Sequence, residues 1–189
     1  MNRVGIALGS NLGDRLSHLV EARNLLQEIS FEPLLGASIY QTEPRFCPAG
    51  SPDFYNTVVE ISYEGNPFDL LEITQGIEKK LGRTTKAERN APLEIDVDLL
   101  YFGDQIIDTE ALDLPHPRLV ERRFVLQPLA EIRPELVLPG QTKSIRCLLD
   151  DLVSDEPPLE LVWSAQSPVR VTEGADSKQD RTGDCADHC

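Results

Sequence analysis

Two aspartates separated by one residue are the feature of this sequence best suited to chemistry. They lie in Ile95-Asp96-Val97-Asp98-Leu99-Leu100, a segment whose apolar residues predict a β-strand. Because side chains alternate along a strand, Asp96 and Asp98 share one face, with Cα atoms about 6.6 Å apart. Such a pair is costly unless a positive charge lies between the carboxylates, and Mg²⁺ is commonly held by one or two carboxylates together with substrate phosphates. The alternative is an ordinary exposed strand face that carries two acids.

A basic segment lies immediately before this strand. Its five cations fall within eleven residues: Lys79, Lys80, Arg83, Lys86 and Arg89. On an otherwise acidic chain, such a group favours a compact anion such as a polyphosphate, although a solvated helix end is the alternative. Together with the acid pair it suits a nucleoside triphosphate, whose charge needs both metal ions and basic side chains. The sequence has no Gly-x-x-x-x-Gly-Lys-Ser/Thr motif, which excludes a P-loop kinase.

Two other groups could contact substrates. The segment Asp53-Phe54-Tyr55-Asn56 opens a predicted strand, where a ring could stack on a flat heterocycle while the Asn56 amide binds its edge. His116 stands between two prolines, with Arg118, Arg122 and Arg123 close behind it. The alternatives are a core aromatic at the start of a strand and a histidine with a structural hydrogen bond.

The elements that must position these residues follow the order β-α-β-β-α-β. Strands are predicted at 3–8, 37–42, 54–63 and 95–102, with one helix capped by Asp14 and another running from Asn66 to Gly82. This is the order of a ferredoxin-like α+β fold, an antiparallel sheet with both helices on one face. The C-terminal additions are a hairpin strand at 105–107, helices at 125–132 and 144–152, and a strand at 159–163. The intervening segments 43–53 and 83–94 are long enough to be functional loops.

Length and composition favour one soluble domain. The chain has 189 residues, 40% of them hydrophobic, and no apolar run approaches the ~20 residues that cross a bilayer. Its net charge of −14 argues against binding of duplex nucleic acid, and its four cysteines favour reduced thiols in a cytoplasm. We therefore expect a functional domain at 1–153, a further strand within 154–164 and a disordered acidic tail at 165–189.

Several motifs, taken together, resemble one known family. They are Ala7–Asp14, Tyr40–Pro44, Pro52–Asn56, Glu78 with Gly82-Arg83, Glu94–Leu100, Leu114–Arg118 and Arg122–Leu129. In this order the chain resembles 6-hydroxymethyl-7,8-dihydropterin pyrophosphokinase, a folate-pathway family, from about Arg3 to Leu152. The resemblance implies a Mg²⁺-dependent diphosphokinase that transfers pyrophosphate from ATP to the pterin hydroxymethyl group and releases AMP. We expect a cytoplasmic monomer whose partners are these small molecules, without nucleic acid or membrane.

The same resemblance implies roles for individual residues. Asp96 and Asp98 would hold two Mg²⁺ ions, and Arg83 would bind phosphates beside them. The ATP-binding set would consist of Gln75, Glu78, His116 and Arg122, to which we add Lys86 and Arg89 from the basic segment. The pterin-binding set would consist of Phe54 and Phe124, which enclose the ring, Asn56, which bonds its edge, and Thr42.

The chain departs from the family pattern in the loop 83–94. Where the family commonly reads Trp-Gly-Pro-Arg, this chain reads Asn90-Ala91-Pro92-Leu93, and Thr85 stands where a basic residue is frequent. An arginine is therefore missing at Leu93, so either turnover is slower or another cation, such as Lys86 or Arg89, reaches the same phosphate oxygens. Two further functions stay open: a different two-metal nucleotidyl transferase, and a non-catalytic ferredoxin-like ligand-binding module.

Overall fold

The computed structural model describes residues 1–44, 48, 50–83, 92–153 and 158–165. The strands are β1 (Asn2–Ser10), β2 (Leu35–Gly36), β3 (Ile39–Thr42), β4 (Phe54–Tyr63), β5 (Asp96–Phe102), β6 (Ile107–Asp108), β7 (Asp113–Leu114) and β8 (Glu160–Trp163). The helices are α1 (Arg15–Glu28), α2 (Pro67–Lys80), α3 (Arg123–Ile132) and α4 (Ile145–Asp150). None of the helices in these ranges is long and apolar enough to cross a membrane.

The main sheet has the strand order β5-β1-β4-β3-β8, and its paired strands are antiparallel. With α1 following β1 and α2 following β4, this is the βαββαβ arrangement of a ferredoxin-like fold, which confirms the predicted fold class. The short β2 pairs with β4. At the far edge, β8 adds the further strand that the sequence predicted and pairs with β3.

Capping side chains set the starts of both core helices where the sequence placed them. The Asp14 carboxylate accepts a hydrogen bond from the Ser17 amide at 3.1 Å. The Asn66 side chain accepts from the amides of Phe68 and Asp69, both at 2.9 Å, and Pro67 occupies the first helical position. These bonds satisfy amide groups that have no partner within the helix, so the local sequence alone fixes where each helix begins.

The sheet is covered on both faces. On the first face, the buried residues of α1 and α2 pack against alternating residues of the central strands, including Ile6, Val97 and Leu99. On the second face, α3 and α4 pack against Val58, Leu100 and Tyr101. The shift in register between β1 and β5 leaves Leu100 as an extra residue, a β-bulge that turns Leu100 and Tyr101 to the same face.

The predicted hairpin between β5 and residues 105–107 is wrong. Residues Ile107–Asp108 pair instead with β7 in a separate two-stranded sheet. A turn does form here, since the Gln105 amide donates to the Phe102 carbonyl at 3.1 Å. The β5 backbone has other partners: it pairs with β1, and the Leu100 carbonyl accepts from the His116 amide at 2.8 Å.

Candidate active site

The acid pair lies at the start of β5, on the second face of the sheet. Asp96 pairs with Gly9 of β1 and Asp98 with Ala7, while Val97 points to the opposite face and is buried. The aspartate side chains remain 35% and 41% exposed. The alternation predicted from sequence therefore leaves two half-buried carboxylates that solvent still reaches at this end of the sheet.

Arg83 is bound to Asp96 and to Glu78. Its Nη1 lies 2.6 Å from Asp96 Oδ1 and also donates to Glu78 Oε1. The Glu78 carboxylate in turn accepts from the Val97 amide at 2.9 Å, which ties the end of α2 to β5. Gly82, with φ +105°, ends the helical segment in a left-handed conformation and directs the chain so that Arg83 turns back to the acids.

Arg122 occupies the other side of the pair. Its Nη1 is 4.0 Å from Asp98 Oδ2, and its guanidinium lies 5.6 Å from the centre of the Phe124 ring. The residue is positioned by the start of α3, for which Arg122 is the N-cap. Each aspartate therefore has one arginine beside it, and the two arginines come from different elements.

The local environment changes the proton affinity of these groups. Burial and the neighbouring Asp96 charge raise the pKa of Asp98 to about 7, although Arg122 opposes the shift. Burial also raises the pKa of Glu78, against the opposing effect of the Val97 amide and Arg83. A site crowded with carboxylates in this way favours a bound cation.

One ring nitrogen of His116 has a hydrogen bond to the backbone. Its Nδ1 accepts a hydrogen bond from the Arg118 amide at 3.1 Å, which assigns the ring proton to Nε2. Burial and the charge of Arg122 lower the pKa of His116, so the ring is neutral near pH 7. The side chain can therefore act as a hydrogen-bond donor to an anion through Nε2.

Asn56 and Thr42 form the second part of the site. The Asn56 Nδ2 donates to Thr42 Oγ1 at 2.8 Å and the asparagine is almost fully buried. Asn56 pairs with Gly9 on one side of β1, and Gly9 pairs with Asp96 on the other. Because Gly9 has no side chain, the space between the amide and the acid stays open: a Cβ there would lie 3.0 Å from Asn56 Oδ1.

Sequence reasoning did not select Asn11, which connects the two long loops. This fully buried side chain donates to the Pro52 carbonyl at 3.2 Å and accepts from the Leu93 amide at 2.9 Å. Its own amide donates to the Leu93 carbonyl at 3.2 Å. The sequence feature that could have indicated Asn11 is the segment Gly9–Gly13, in which polar residues lie between a predicted strand and a predicted helix.

The structure brings together most of the predicted site residues but not all of them. Hydrogen bonds join Arg83 to Asp96 and Glu78, and Asn56 to Thr42. Arg122 lies 4.0 Å from Asp98 and 5.6 Å from the centre of the Phe124 ring. Phe54 is half-buried at the start of β4, beside Asn56, whereas Gln75 is exposed one turn before Glu78. The predicted ATP-binding residues Lys86 and Arg89 lie outside the described residues, as do Thr85, Asn90 and the tail beyond Ala165.

The donor set suits a magnesium ion that substrate phosphates help to bind. Within the described ranges, no group of three or more His, Cys, Asp or Glu side chains is arranged to hold a metal ion. Two accessible carboxylates are nevertheless what Mg²⁺ takes from a protein when phosphate oxygens and water supply its other ligands. Asp96 and Asp98 therefore fit this metal.

Comparison with known proteins identifies the family. A family model described as 7,8-dihydro-6-hydroxymethylpterin-pyrophosphokinase (HPPK) matches residues 5–134, a range that includes both parts of the site. The chain belongs to the HPPK family. HPPK enzymes carry out pyrophosphoryl transfer in folate biosynthesis and use ATP as the co-substrate, so the resemblance found in the motifs is confirmed.

Relatives of the chain include both short and long proteins. The 2-amino-4-hydroxy-6-hydroxymethyldihydropteridine pyrophosphokinase of Bacillus subtilis is 48% identical over 137 residues, which are 70% of this chain and 79% of that protein. The folic acid synthesis protein fol1 of Pneumocystis carinii is 36% identical over 153 residues, which are 81% of this chain. The chain spans only 20% of that longer protein.

Solved structures show the same fold. Plasmodium falciparum HPPK-DHPS in its wild-type form with SDX-DHP has a TM-score of 0.63 at 16% identity. The match covers 79% of this chain and 44% of that one. At this level of identity the likeness supports the ferredoxin-like fold.

Proposed function

We propose that this chain transfers the pyrophosphoryl group of ATP to the hydroxymethyl group of 6-hydroxymethyl-7,8-dihydropterin in a Mg²⁺-dependent reaction. The hydroxyl oxygen of the pterin forms a bond to the β-phosphorus and loses its proton to solvent. The bond from that phosphorus to the oxygen it shares with the α-phosphate breaks, and AMP leaves with this oxygen. The observation that carries the proposal is the acid pair with one arginine beside each acid. This arrangement matches a polyphosphate bound through metal ions and guanidinium groups.

Asp96 and Asp98 are proposed to hold two Mg²⁺ ions. When bound, the ions would offset the charge that gathers on the phosphate oxygens. Arg83 and Arg122 flank the acids, so a triphosphate lying across the pair would meet a guanidinium on each side. A neutral His116 would add a hydrogen bond from Nε2 to a phosphate oxygen. Gln75, Lys86 and Arg89 complete the proposed ATP-binding set.

The pterin is proposed to lie beside Asn56. Because Nδ2 of this amide already donates to Thr42, its Oδ1 is the group available to accept hydrogen bonds from the pterin edge. Asn56 and Asp96 are separated by β1, which corresponds to two strand spacings or about 9.5 Å. A bicyclic ring held at Asn56, between Phe54 and Phe124, would extend its hydroxymethyl group towards the metal-binding acids.

Release of AMP tests the proposal directly. Purified protein is incubated with ATP, MgCl₂ and the pterin, and the products are separated by chromatography. We expect AMP and the pterin diphosphate in equal amounts, and no AMP when the pterin or Mg²⁺ is omitted. Asp108→Asn, which changes an exposed acid of β6, is the matched control and should keep the activity.

The same experiment separates the other candidate functions. A nucleotidyl transferase would release inorganic pyrophosphate and leave AMP attached to its substrate. A non-catalytic ligand-binding module would bind a ligand without turnover. Either result would contradict the proposed function.

We further propose that the chain acts as a monomer in the cytoplasm, with these small molecules as its only partners. The Cys147 thiol is exposed and free, which suits a reducing compartment. Sedimentation at several protein concentrations tests the monomer, and a mass that rises with concentration would contradict it. Fractionation of cells that express the chain tests the compartment.

A further inference from the structure

A buried ionic group lies at the opposite end of the sheet from the acid pair. The Glu60 carboxylate of β4 accepts a hydrogen bond from the Tyr101 hydroxyl of β5 at 2.6 Å. It also accepts from Arg133, through Nε at 3.0 Å and Nη2 at 2.6 Å. The Glu60 side chain is only 2% exposed. We call Glu60, Tyr101 and Arg133 the Glu60 triad.

The Glu60 triad and the active site are built on the same strand pattern. Gly5 of β1 pairs with Glu60 on one side and with Tyr101 on the other, just as Gly9 pairs with Asn56 and Asp96. The central glycine is required, because a Cβ at Gly5 would lie 2.1 Å from the Tyr101 ring. The two glycines are four residues apart on β1, or about 13 Å.

Each member of the Glu60 triad belongs to an element that carries site residues. Glu60 shares β4 with Asn56, and Tyr101 shares β5 with the acid pair. Arg133 is the C-cap of α3, whose N-cap is Arg122, eleven residues and about 16 Å away. One carboxylate therefore connects the three elements that supply the pterin-binding amide, the acids and the second arginine.

Directional hydrogen bonds restrict the position of α3 more narrowly than its apolar contacts do. The buried residues of α3 meet the sheet through aliphatic side chains, whose contacts have no fixed direction. Near the end of α3, Glu131 accepts hydrogen bonds from the Ser38 amide at 2.8 Å and from the Tyr40 hydroxyl, and Arg133 adds directional bonds to the central strand β4. The planar fork of an arginine, bonded to both oxygens of one carboxylate, permits a much narrower range of positions. A buried charged pair contributes little net stability, so its effect on geometry is the more distinctive one.

We propose that the Glu60 triad consists of positioning residues for the transfer reaction, which hold α3 so that Arg122 and Phe124 stay aligned with the acids on β5 and the amide on β4. This inference rests on the proposed function and its site residues. If the triad only stabilised the fold, its loss would lower kcat/KM by the same factor with or without Arg122. If it positions α3, its loss lowers kcat/KM mainly when Arg122 is present at the start of that helix.

A double-mutant cycle tests this difference. Arg133→Met, Arg122→Ala and the double variant are compared by kcat/KM for the pterin at saturating ATP, at a temperature well below each melting transition. We expect Arg133→Met to lower kcat/KM about tenfold in the unmodified protein and less than about threefold in the Arg122→Ala background, since sites this far apart are otherwise additive. Arg133→Met leaves the Glu60 carboxylate beside Arg3, whose Nη1 is 4.0 Å from Oε1, at the border of a cleft of about 820 Å³ from which water can hydrate it.

Two further variants keep the test decisive. Leu26→Ala removes buried contacts of α1 on the first face and should lower the melting temperature without a comparable loss of kcat/KM. Tyr101→Phe deletes one hydroxyl, keeps the Arg133–Glu60 pair and replaces Arg133→Met in the cycle if that variant does not fold.

The outcomes of the cycle separate the two explanations. An equal reduction of kcat/KM in both backgrounds would overturn the proposal, as would an unchanged kcat/KM in the unmodified background. Absence of AMP release by the unmodified protein would instead overturn the proposed function, and the inference with it.

Discussion

Asp96 and Asp98 occupy different surroundings although they share one strand face. Asp96 is in direct contact with Arg83, whereas the guanidinium of Arg122 stays 4.0 Å from Asp98. Burial and the Asp96 charge therefore dominate at Asp98 and raise its pKa to about 7. The two aspartates therefore lead to one prediction on turnover and one on the pH dependence of stability.

Replacement of either aspartate should remove most of the activity. Asp96→Ala and Asp98→Ala each delete a proposed metal ligand, so we expect turnover to fall at least ~10³-fold, or about 4 kcal/mol. Both variants should fold, because removal of one carboxylate relieves repulsion. Steady-state AMP release is the measurement, with Asp108→Ala as the control, and near-normal turnover in either variant would contradict the two-metal assignment.

Metal-free stability should depend on pH through Asp98. Its pKa of about 7 in the folded protein lies above the ordinary value of 3.8, so the folded state binds this proton more tightly and loses stability as pH rises from about 4 to about 7. Asp98→Asn lacks this titration. We therefore expect the variant to melt a few degrees above the unmodified protein at pH 8 in EDTA, with the difference shrinking towards pH 4. A difference that does not change with pH would contradict the assignment.

The elements meet at the site through their ends. The end of α2 supplies Glu78, the start of α3 supplies Arg122, and the turn after β1 supplies Asn11, which binds backbone groups at Pro52 and Leu93. Asn11 holds one end of each long loop, with Arg15 and Gln41 also bonded to Asp53 at the first of them. At the second, both backbone groups of Leu93 bond to Asn11. A change of side chain at 93 can therefore leave the loop end in place.

Leu93→Arg tests whether this loop reaches the triphosphate. An arginine there can form charge-assisted hydrogen bonds, each worth about 1.5–3 kcal/mol, so we expect tighter ATP binding or faster turnover by roughly tenfold. If Lys86 or Arg89 already binds the same oxygens, Leu93→Arg changes little and Lys86→Ala or Arg89→Ala is severe. Leu93→Met serves as the control for side-chain size. Steady-state kinetics that show neither pattern would mean that the loop does not contact the triphosphate.

At the scale of the whole molecule, the sheet extends beyond the βαββαβ core. The strand β8 pairs with β3, Trp163 lies under the Arg23 guanidinium at 5.7 Å, and the Ala165 amide donates to Ser38 Oγ at 3.2 Å. These contacts join the C-terminal strand to β3, which carries Thr42, and also to α1 and to the residue before β3. We therefore propose that the functional domain needs residues 1–153 together with β8, and that residues after Ala165 form a separate tail.

Truncation after Ala165 should leave the protein intact. The residues that follow have almost no large apolar side chains and so contribute little apolar surface to offset the entropy of ordering them. We expect an unchanged melting temperature and unchanged AMP release, measured by calorimetry and steady-state assay. Truncation after Val153, which also removes β8, is the comparison and should lower the melting temperature. A drop of many degrees for the first variant would mean that the tail docks on the body.

The sequence by itself determined the local features of this protein. Alternation placed Asp96 and Asp98 on one face, Asp14 and Asn66 set the helix starts, and the order of elements indicated the ferredoxin-like sheet. These features depend on residues close together in the chain, where the backbone geometry follows from hydrogen bonding and side-chain periodicity.

Only the tertiary structure decided which distant groups meet. The packing of α3 on the second face and the Glu60 triad each join segments separated by many residues. The pairing of β6 with β7 is local, but it follows from the pairing of β5 with β1. The sequence pattern does not show which distant segments meet, because the entropic cost of closing a loop depends only weakly on its length. The loop-joining role of Asn11 and the alignment of Arg122 with Asp98 therefore became visible once the packed sheet set their separation.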